Sequence, residues 1–567
     1  MQCYGVEKRV ETVYSRGMSE IRNICLIDVP FPVGAGFERA GCTVLNLLTR
    51  REPFFSLPEA LAEHGFTPDL VVQCEVLSCR TVVTGLDGMD CPLIYWAVDP
   101  HLNAHWQSAY ARLFDMTCVT QRKIIPDTRR QGAQDVRWLP WFGRKIDIDS
   151  GKREFDLAFV GRVTEQRPAR KWMVEYLERK WGNFNLAIRD GLDFGGMMEL
   201  YRTSRIIPNE SILGEVNFRL FEAASCGCLV LGQALGDEQE ELFKPGREFD
   251  TYADIVEMDS KLRQYMHEDR LTQAMGRAAH ERVQREHLPG HRAQRLLEYA
   301  RDAVRHRAVG PDSIKWQTLA ICGLWEAGMR DIPAGELLSE LASLPLDAEV
   351  AEAAMRVQAI AGMTADLEEN LRTILGGQLF VDSLGCNLAG SMAALRIGNW
   401  DAAKTFWYRH LQSTGARQPR APEDPVQLLT LWAKDLSRRD RIVRGGFPFN
   451  PVRHLPATAS ECLMTVLVDE SQHLPTLRLL DTMLRPVTGM EQVRVGFLSI
   501  LTLHERKDWR LAFEIAIANL KSYRLESGLE ELALAHEIAR EQGQGKSFER
   551  ALAVRDASGL LVGAVHG

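Results

Sequence analysis

Arg219 and Glu222 stand three residues apart in the run NFRLFEAAS. At that spacing two side chains share one face of a helix. A guanidinium offers a planar fork of donors that suits a phosphate, and a carboxylate accepts from hydroxyl groups. The run lies within IIPNESILGEVNFRLFEAASCGCLVL, Ile206 to Leu231, which reads as a short apolar strand, a polar loop, an amphipathic helix, a break at Gly227 and a second β-rich run, CLVL. A helix opening between two parallel strands presents unpaired N–H groups and a positive dipole end to an anion. Asn209, Ser211 and Asn217, with the backbone from Asn209 to Gly214, are therefore candidates to join Arg219 and Glu222 around a diphosphate and a ribose. The same spacing also occurs in an ordinary βαβ unit with surface charges.

Alternating strands and helices must position that set. IRNICLIDV (Ile21 to Val29), PDLVVQCE (Pro68 to Glu75) and CPLIYWAVDP (Cys91 to Pro100) read as buried strands of a parallel sheet, and FDMTCVTQ and VRWLPWF continue the alternation. A loop, PFPVGAGFERAG, follows the first strand; its Gly34 and Gly36 allow close backbone approach, although Arg39 stands where a dinucleotide fingerprint needs its third glycine. Asp99, His101 and Asn103 close the third strand, at the end where open α/β sheets bind ligands, so Asp99 and His101 are candidate bases. A second α/β domain opens with FDLAFVGRV, whose turn carries Gly161 and Arg162, with Arg167 and Arg170 beyond. Arg167, Arg170 and Lys171 also fit a solvated helix face.

The run RLFEAASCGCLVL resembles the R-x-F-E-A-x-x-x-G signature of GT-B glycosyltransferases, in the branch named after the spore-maturation protein CgeB. YWAVDPH (Tyr95 to His101), WLP (Trp138 to Pro140), FVGR (Phe159 to Arg162) and GREFDTY (Gly246 to Tyr252) fit the same pattern in order, so the likeness spans roughly residues 20 to 310. It implies an α/β fold of two Rossmann-like domains facing a cleft. It further implies a metal-independent hexosyltransferase that moves a sugar from a nucleotide-sugar, UDP-linked, to an acceptor hydroxyl, with no further cofactor. In such enzymes Glu222 would hold the ribose, the Gly161–Arg162 turn would meet the diphosphate, and the Gly34–Gly36 loop would face the cleft. Arg162, Arg219 and the backbone near Asn209 to Gly214 would stabilise the leaving charge. One departure matters: retaining members carry a second glutamate eight residues before the first, and Gly214 stands there with Glu215 one place off, which leaves retention or inversion open.

Past about Gly310 the strand-like runs end. NLAGSMAALRIGNWDAAKTFWYRHLQ (Asn387 to Gln412) and VGFLSILTLHERKDWRLAFEIAIANL (Val495 to Leu520) share a helix, a polar turn and a second helix opened by a tryptophan; Trp400 matches Trp509, and Ala403 matches Ala512. This is similar to tetratricopeptide (TPR) repeats, whose stacked helix pairs suit protein or peptide partners. The expected organisation is a tail (1–18), a Rossmann-like acceptor domain (19–147), a Rossmann-like donor domain (148–309) and an α-helical TPR-like domain (310–567). GGFPFNPVRHL (Gly445 to Leu455) reads as a loop interrupting the helices. A protein acceptor such as flagellin or another bacterial surface protein is the expectation that this pairing suggests; a glycan or lipid-linked acceptor, or a non-catalytic scaffold, are the alternatives.

Bulk properties agree with an ordinary globular chain. With 567 residues it exceeds one core and fits about two to four domains. A net charge of -8 argues against general nucleic-acid binding. Its 12 cysteines include no CxxC pair, and the expectation is reduced thiols in a cytoplasmic protein. No apolar run approaches the ~20 residues of a bilayer span. Asp147-Ile-Asp149 spells a D-x-D by letters, but it lies in the polar hinge DIDSG rather than after a strand, so no metal site is expected. Met18 precedes the first convincing strand; either it is the natural start or the residues before it are a loose tail, which the mass of the native protein would decide.

Overall fold

The computed structural model describes residues 21–50, 52–148, 153–416 and 421–566. The expected tail, with Met18, and most of the hinge, with Asp149, lie outside the described residues. The chain divides into two compact units, one of Met1–Pro140 with Pro289–Val468 and the other of Trp141–Leu288 with Asp469–Gly567.

The first unit holds a six-stranded parallel sheet in the order β2-β1-β4-β6-β7-β8, formed by β1 (Asn23–Ile27), β2 (Thr43–Leu47), β4 (Leu70–Cys74), β6 (Leu93–Ala97), β7 (Met116–Val119) and β8 (Asp135–Trp138). A short parallel pair, β3 (Phe54–Ser56) with β5 (Val82–Thr84), stands beside it. β4 (LVVQC) and β6 (LIYWA) are buried at every position, as strands covered on both faces must be. The order reverses at β1: the chain goes to β2 on one side and returns to β4 on the other. Such a reversal opens a crevice at the carboxyl ends of the two strands.

The second unit repeats this plan with a five-stranded parallel sheet, β10-β9-β11-β12-β13, made of β9 (Phe155–Val160), β10 (Leu186–Arg189), β11 (Ser204–Asn209), β12 (Leu229–Gln233) and β13 (Asp250–Tyr252). Its reversal falls between β9 and β11, paired through Ile206 and Leu157. Both units are thus Rossmann-like.

One expected loop is a helix. The residues after β1 form the helix Phe31–Arg39, with a proline in its first turn, a position where the missing N–H costs nothing. Gly34 and Gly36 are buried in it, against Asn46 and against the helix Pro289–Arg301 respectively. A Cβ on Gly36 would stand 2.9 Å from both Cβ of Ala293 and Cα of Gly290, so the glycine serves close helix packing rather than a ligand.

Beyond Gly310 all described secondary structure is helical, from Pro311–Glu326 to Leu560–His566. These helices do not make one body. Ile321, Leu324, Leu337 and Val357 share a core with Tyr95, Trp106 and Tyr110 of the first unit. Trp509, Phe513, Leu532 and Phe548 share a core with Phe159, Leu177 and Leu231 of the second. Apolar stripes on helices bury against whatever sheet-covering layer is nearest, and here they find two. The two tryptophan motifs form helix pairs as expected, Leu384–Arg396 with Trp400–Thr414 and Glu491–His504 with Trp509–Lys521. Each second helix is capped from the residue before its tryptophan: Asn399 accepts the Ala402 N–H and Asp508 that of Arg510. GGFPFNPVRHL is a loop, and within the first unit Gly446 meets the carbonyl of Leu102. No described helix is long and apolar enough to cross a membrane.

Candidate functional site

In the second unit the residues singled out at the strand ends converge on the reversal between β9 and β11. Arg219, in the second position of the helix Phe218–Ser225, donates from Nη1 to Asn209 Oδ1 (2.8 Å) and from Nη2 to the carbonyl of Val160 (3.0 Å). Its guanidinium lies over the Phe159 ring, 4.6 Å from the centroid. Gly161 makes room for it, since a Cβ there would stand 3.0 Å from Arg219 Nη2. Gly161, Asn209 and Arg219 are thus one cluster. Two buried polar atoms beside it, Arg219 Nε and Asn217 Oδ1, have no hydrogen-bond partner among the described residues. A buried donor and a buried acceptor left open together cost about 1–3 kcal/mol each unless a ligand or water satisfies them.

Glu222 lies one turn along that helix, half-buried, and burial pushes its carboxyl up to about 7 against the pull of the Arg219 and Arg144 guanidiniums. Arg144 was not foreseen. Its backbone N–H donates to Ser225 Oγ (2.8 Å), which pins the segment after Pro140 to this helix, and its guanidinium lies 4.6 Å from the Phe194 ring centroid. The signal was present as a cation directly after WLPWFG, but only the chain's return to the helix brings it beside Glu222.

The loop between β11 and the helix corrects the expectation of a backbone cradle. The Ser211 N–H donates to Gln233 Oε1 (2.9 Å), and those of Ile212 and Leu213 donate to the two carboxylate oxygens of Glu215 (2.9 and 2.8 Å). These three N–H groups already have anionic or amide acceptors from the chain itself. Ser211 Oγ donates to the Glu215 carbonyl (2.6 Å), and Asn217 Nδ2 to the Glu210 carbonyl (3.0 Å), so both side chains shape the loop. Glu215, one place from 214, thus has its carboxylate on these two N–H groups. Arg162 is exposed on the turn after β9, and its carbonyl accepts from Arg170 Nη1 (3.4 Å). Arg170 is not on a solvated face: it is buried and paired with the equally buried Glu210 at 2.7 Å. Lys171 does lie outward, bridged to Glu165.

In the first unit the reversal between β1 and β4 is flanked by Asp28 and Glu75. Asp28 takes a left-handed backbone (φ 54°), and its carboxylate accepts the N–H and hydroxyl of Thr49 (3.1 and 2.7 Å). Glu75 Oε2 accepts the Val98 N–H (3.1 Å) and Gln107 Nε2 (2.6 Å), while its Oε1 is buried without a partner among the described residues. Burial pushes Glu75 up to about 7, and the nearby charge of Asp99 adds to that, against the two hydrogen bonds and Arg80. Sequence reading passed over Glu75 because it ends an apolar strand and belongs to no motif. Asp99 and His101 sit one strand further along: Asp99 is the cap residue of the helix Pro100–Tyr110, its carbonyl accepting from Leu102 N–H (2.9 Å) and Asn103 Nδ2 (3.0 Å), and His101 is half-buried in the first turn. Gly34 and Gly36, inside their helix, do not join this edge.

Among the described residues no group of three or more His, Cys, Asp or Glu side chains is placed to hold a metal ion. Cys226 and Cys228 are buried, unbridged thiols.

Residues 149–298 match the family described as glycosyl transferase-like. The match spans β9 to β13, and with them Arg219 and Glu222. No curated protein matches the chain. Among solved structures, Anabaena Alr3699/HepE in complex with UDP-glucose is similar at 12% identity and TM-score 0.37, over 49% of this chain and 98% of that one. A glycosyltransferase from Rickettsia africae ESF-5 is similar at 10% identity and TM-score 0.37, over 50% and 99%. The sucrose-phosphate synthase tll1590 from Thermosynechococcus elongatus is similar at 14% identity and TM-score 0.37, over 49% and 98%.

Proposed function

We propose that this protein is a glycosyltransferase that moves a hexosyl group from a nucleotide-sugar, UDP-linked, to an acceptor hydroxyl. The observation that carries the reading is the Arg219 cluster: a fixed guanidinium at a sheet reversal, beside open buried polar atoms, within the segment that matches glycosyl transferase-like proteins. When the bond from sugar to diphosphate breaks, negative charge grows on the leaving oxygen and the sugar becomes cation-like. A cation held in advance stabilises that charge without reorganising. Arg219 takes this role, Arg162 adds a second positive charge at the turn, and Glu222 accepts from the ribose hydroxyls. Asp99 and His101 are the candidate bases for the acceptor's proton, with Glu75 buried near Asp99.

The acceptor is proposed to be a protein, a bacterial surface protein such as flagellin in the cytoplasm before export, recruited by the TPR-like helix pairs. Support for a recruiting surface comes from the two matching helix pairs, Leu384–Arg396 with Trp400–Thr414 and Glu491–His504 with Trp509–Lys521. Because the helices share cores with both α/β sheets, the test uses the full chain.

The full chain is incubated with a panel of nucleotide-sugars, UDP-glucose first, with water alone or added flagellin to take the sugar, and release of the nucleoside diphosphate is followed with and without chelator. Release from at least one donor, unchanged by EDTA, is expected. No release from any donor refutes the reading, and complete loss in EDTA restored by Mn²⁺ refutes its metal-independent form.

A further inference from the structure

Two helices of the second unit, Trp509–Lys521 and Leu525–Glu541, are joined by a turn in which Tyr523 takes a left-handed backbone (φ 67°). Glycine is the usual residue in that conformation at a helix end, because a Cβ makes it costly. An aromatic residue stays there only when its surroundings fix it, and such outliers gather at functional positions. Burial fixes this one. The Tyr523 side chain is 2% exposed, in the core that also holds Phe159, Leu231 and Tyr252.

The Tyr523 hydroxyl lies 2.8 Å from that of Tyr252. Tyr252 ends β13 and donates its single hydroxyl hydrogen across β12 to the backbone carbonyl of Asn209 (3.0 Å), the last residue of β11. With that hydrogen committed, Tyr523 is the donor to Tyr252. Burial pushes both phenols up, so both keep their protons at neutral pH. The side chain of the same Asn209 accepts from Arg219 Nη1 (2.8 Å). A continuous path therefore runs from the Tyr523 hydroxyl through Tyr252 and Asn209 to the Arg219 guanidinium. Hydrogen bonds in such a chain polarise and orient one another.

Two further contacts bring the same helical region onto the segments that follow β9 and β11. Gln492 Oε1 accepts the Ala169 N–H (2.9 Å) at the start of the helix Pro168–Trp181. A Cβ on Gly489 would stand 2.1 Å from the carbonyl oxygen of Ile212. Tyr523, Gln492 and Gly489 all lie outside residues 149–298, the segment matched to glycosyl transferase-like proteins.

We infer that, given the transfer reaction proposed above, Tyr523 is a positioning residue for it: its hydroxyl, acting through Tyr252, fixes the strand end at Asn209 that holds Arg219 toward the leaving diphosphate. The C-terminal helices of the second unit are then part of the donor site's frame, whatever else they recruit.

The test uses the full chain and reads steady-state release of nucleoside diphosphate together with the unfolding midpoint. Tyr523→Phe removes the hydroxyl and keeps the ring. Its kcat is expected to fall about three- to tenfold, the worth of one hydrogen bond, with KM for the donor within about twofold of the wild type's. Tyr252→Phe, which removes the bond to the Asn209 carbonyl itself, is expected to lose at least as much. A role in folding alone would lower the midpoint and leave kcat per folded molecule unchanged. The two roles also part in an Asn209→Ala background, where the link to Arg219 is already cut. Adding Tyr523→Phe there should change kcat by less than about twofold while lowering the midpoint as much as it does in the wild type. A Tyr523→Phe kcat within about twofold of the wild type's, or the same fold loss in the Asn209→Ala background as outside it, overturns the inference and leaves the transfer reaction standing. A wild type that releases nucleoside diphosphate from no donor overturns the reaction and the inference with it. Should Tyr523→Phe fail to fold, Tyr252→Phe alone and combined with Asn209→Ala decides by the same two readings.

Discussion

The two sheets reverse their strand order in the same way, and each reversal carries a buried or half-buried glutamate pushed up to about 7, Glu75 in the first unit and Glu222 in the second. Burial is the larger cause in both. Their surroundings differ. Glu222 feels the positive charges of two guanidiniums, Arg219 and Arg144. Glu75 has two hydrogen-bond donors, one oxygen without a partner among the described residues, and another carboxylate, Asp99, nearby. The same strand-end geometry thus raises a glutamate beside guanidiniums in one unit and beside a second carboxylate in the other. Secondary structure supplies the place, and the sign of the neighbouring charge supplies the chemistry.

The sharpest way to break this contrast is Arg219→Ala. It removes the guanidinium and leaves Asn209 Oδ1 and the Val160 carbonyl without their donor, and turnover is expected to fall about 10²–10³-fold, as for loss of one preorganised charge-stabilising group. Steady-state release of nucleoside diphosphate measures it; a loss under threefold would detach Arg219 from the reaction.

Glu222→Ala comes next. Nucleotide affinity is expected to drop about 10–100-fold, the worth of one or two hydrogen bonds to a charged acceptor, with the unfolding midpoint nearly unchanged. Calorimetry with the nucleotide reads this directly, and unchanged affinity would remove Glu222 from the ribose.

Glu75→Gln should leave nucleotide affinity intact and slow transfer to the acceptor about tenfold or more, within the range of a general acid–base contribution. Wild-type transfer is expected to change as pH passes about 7, where Glu75 loses its proton, and Glu75→Gln should flatten that change. The same group sets a stability trend. Its folded value, about 7, lies above the ordinary 4.5, so the folded state binds the extra proton between them. Stability from this group is present at pH 4.5 and is lost as pH rises to 7, by up to about 3 kcal/mol. Denaturant titrations of wild type and Glu75→Gln at both ends of that window test the sign; a wild-type difference that the variant retains in full would assign the trend elsewhere.

Gly36→Ala should act least on chemistry. A Cβ at 2.9 Å from Gly290 and Ala293 forces the two helices apart, and a stability loss of about 1–3 kcal/mol is expected, with nucleotide affinity per folded molecule unchanged. A fall in nucleotide affinity at constant folded fraction would return this glycine to the ligand site.

The local pattern of this chain is legible without coordinates wherever one period dominates. Uniformly apolar runs such as LVVQC and LIYWA mark parallel strands, because only strands covered on both faces can be apolar throughout. The i, i+3 spacing of Arg219 and Glu222 puts them on one helix regardless of what surrounds it. The helix at Phe31–Arg39 escaped that reading because its glycines look like loop residues until the helix Pro289–Arg301, more than 250 residues later, is packed against them. Glu75, Arg144 and the capture of three backbone N–H groups by Glu215 and Gln233 were decided by the tertiary structure alone. So was the division of the C-terminal helices between two cores. The physical reason is common to all of these. Periodicity is set by neighbours within a few residues, whereas burial, charge partners and the choice of packing surface depend on groups brought close only when distant segments fold together.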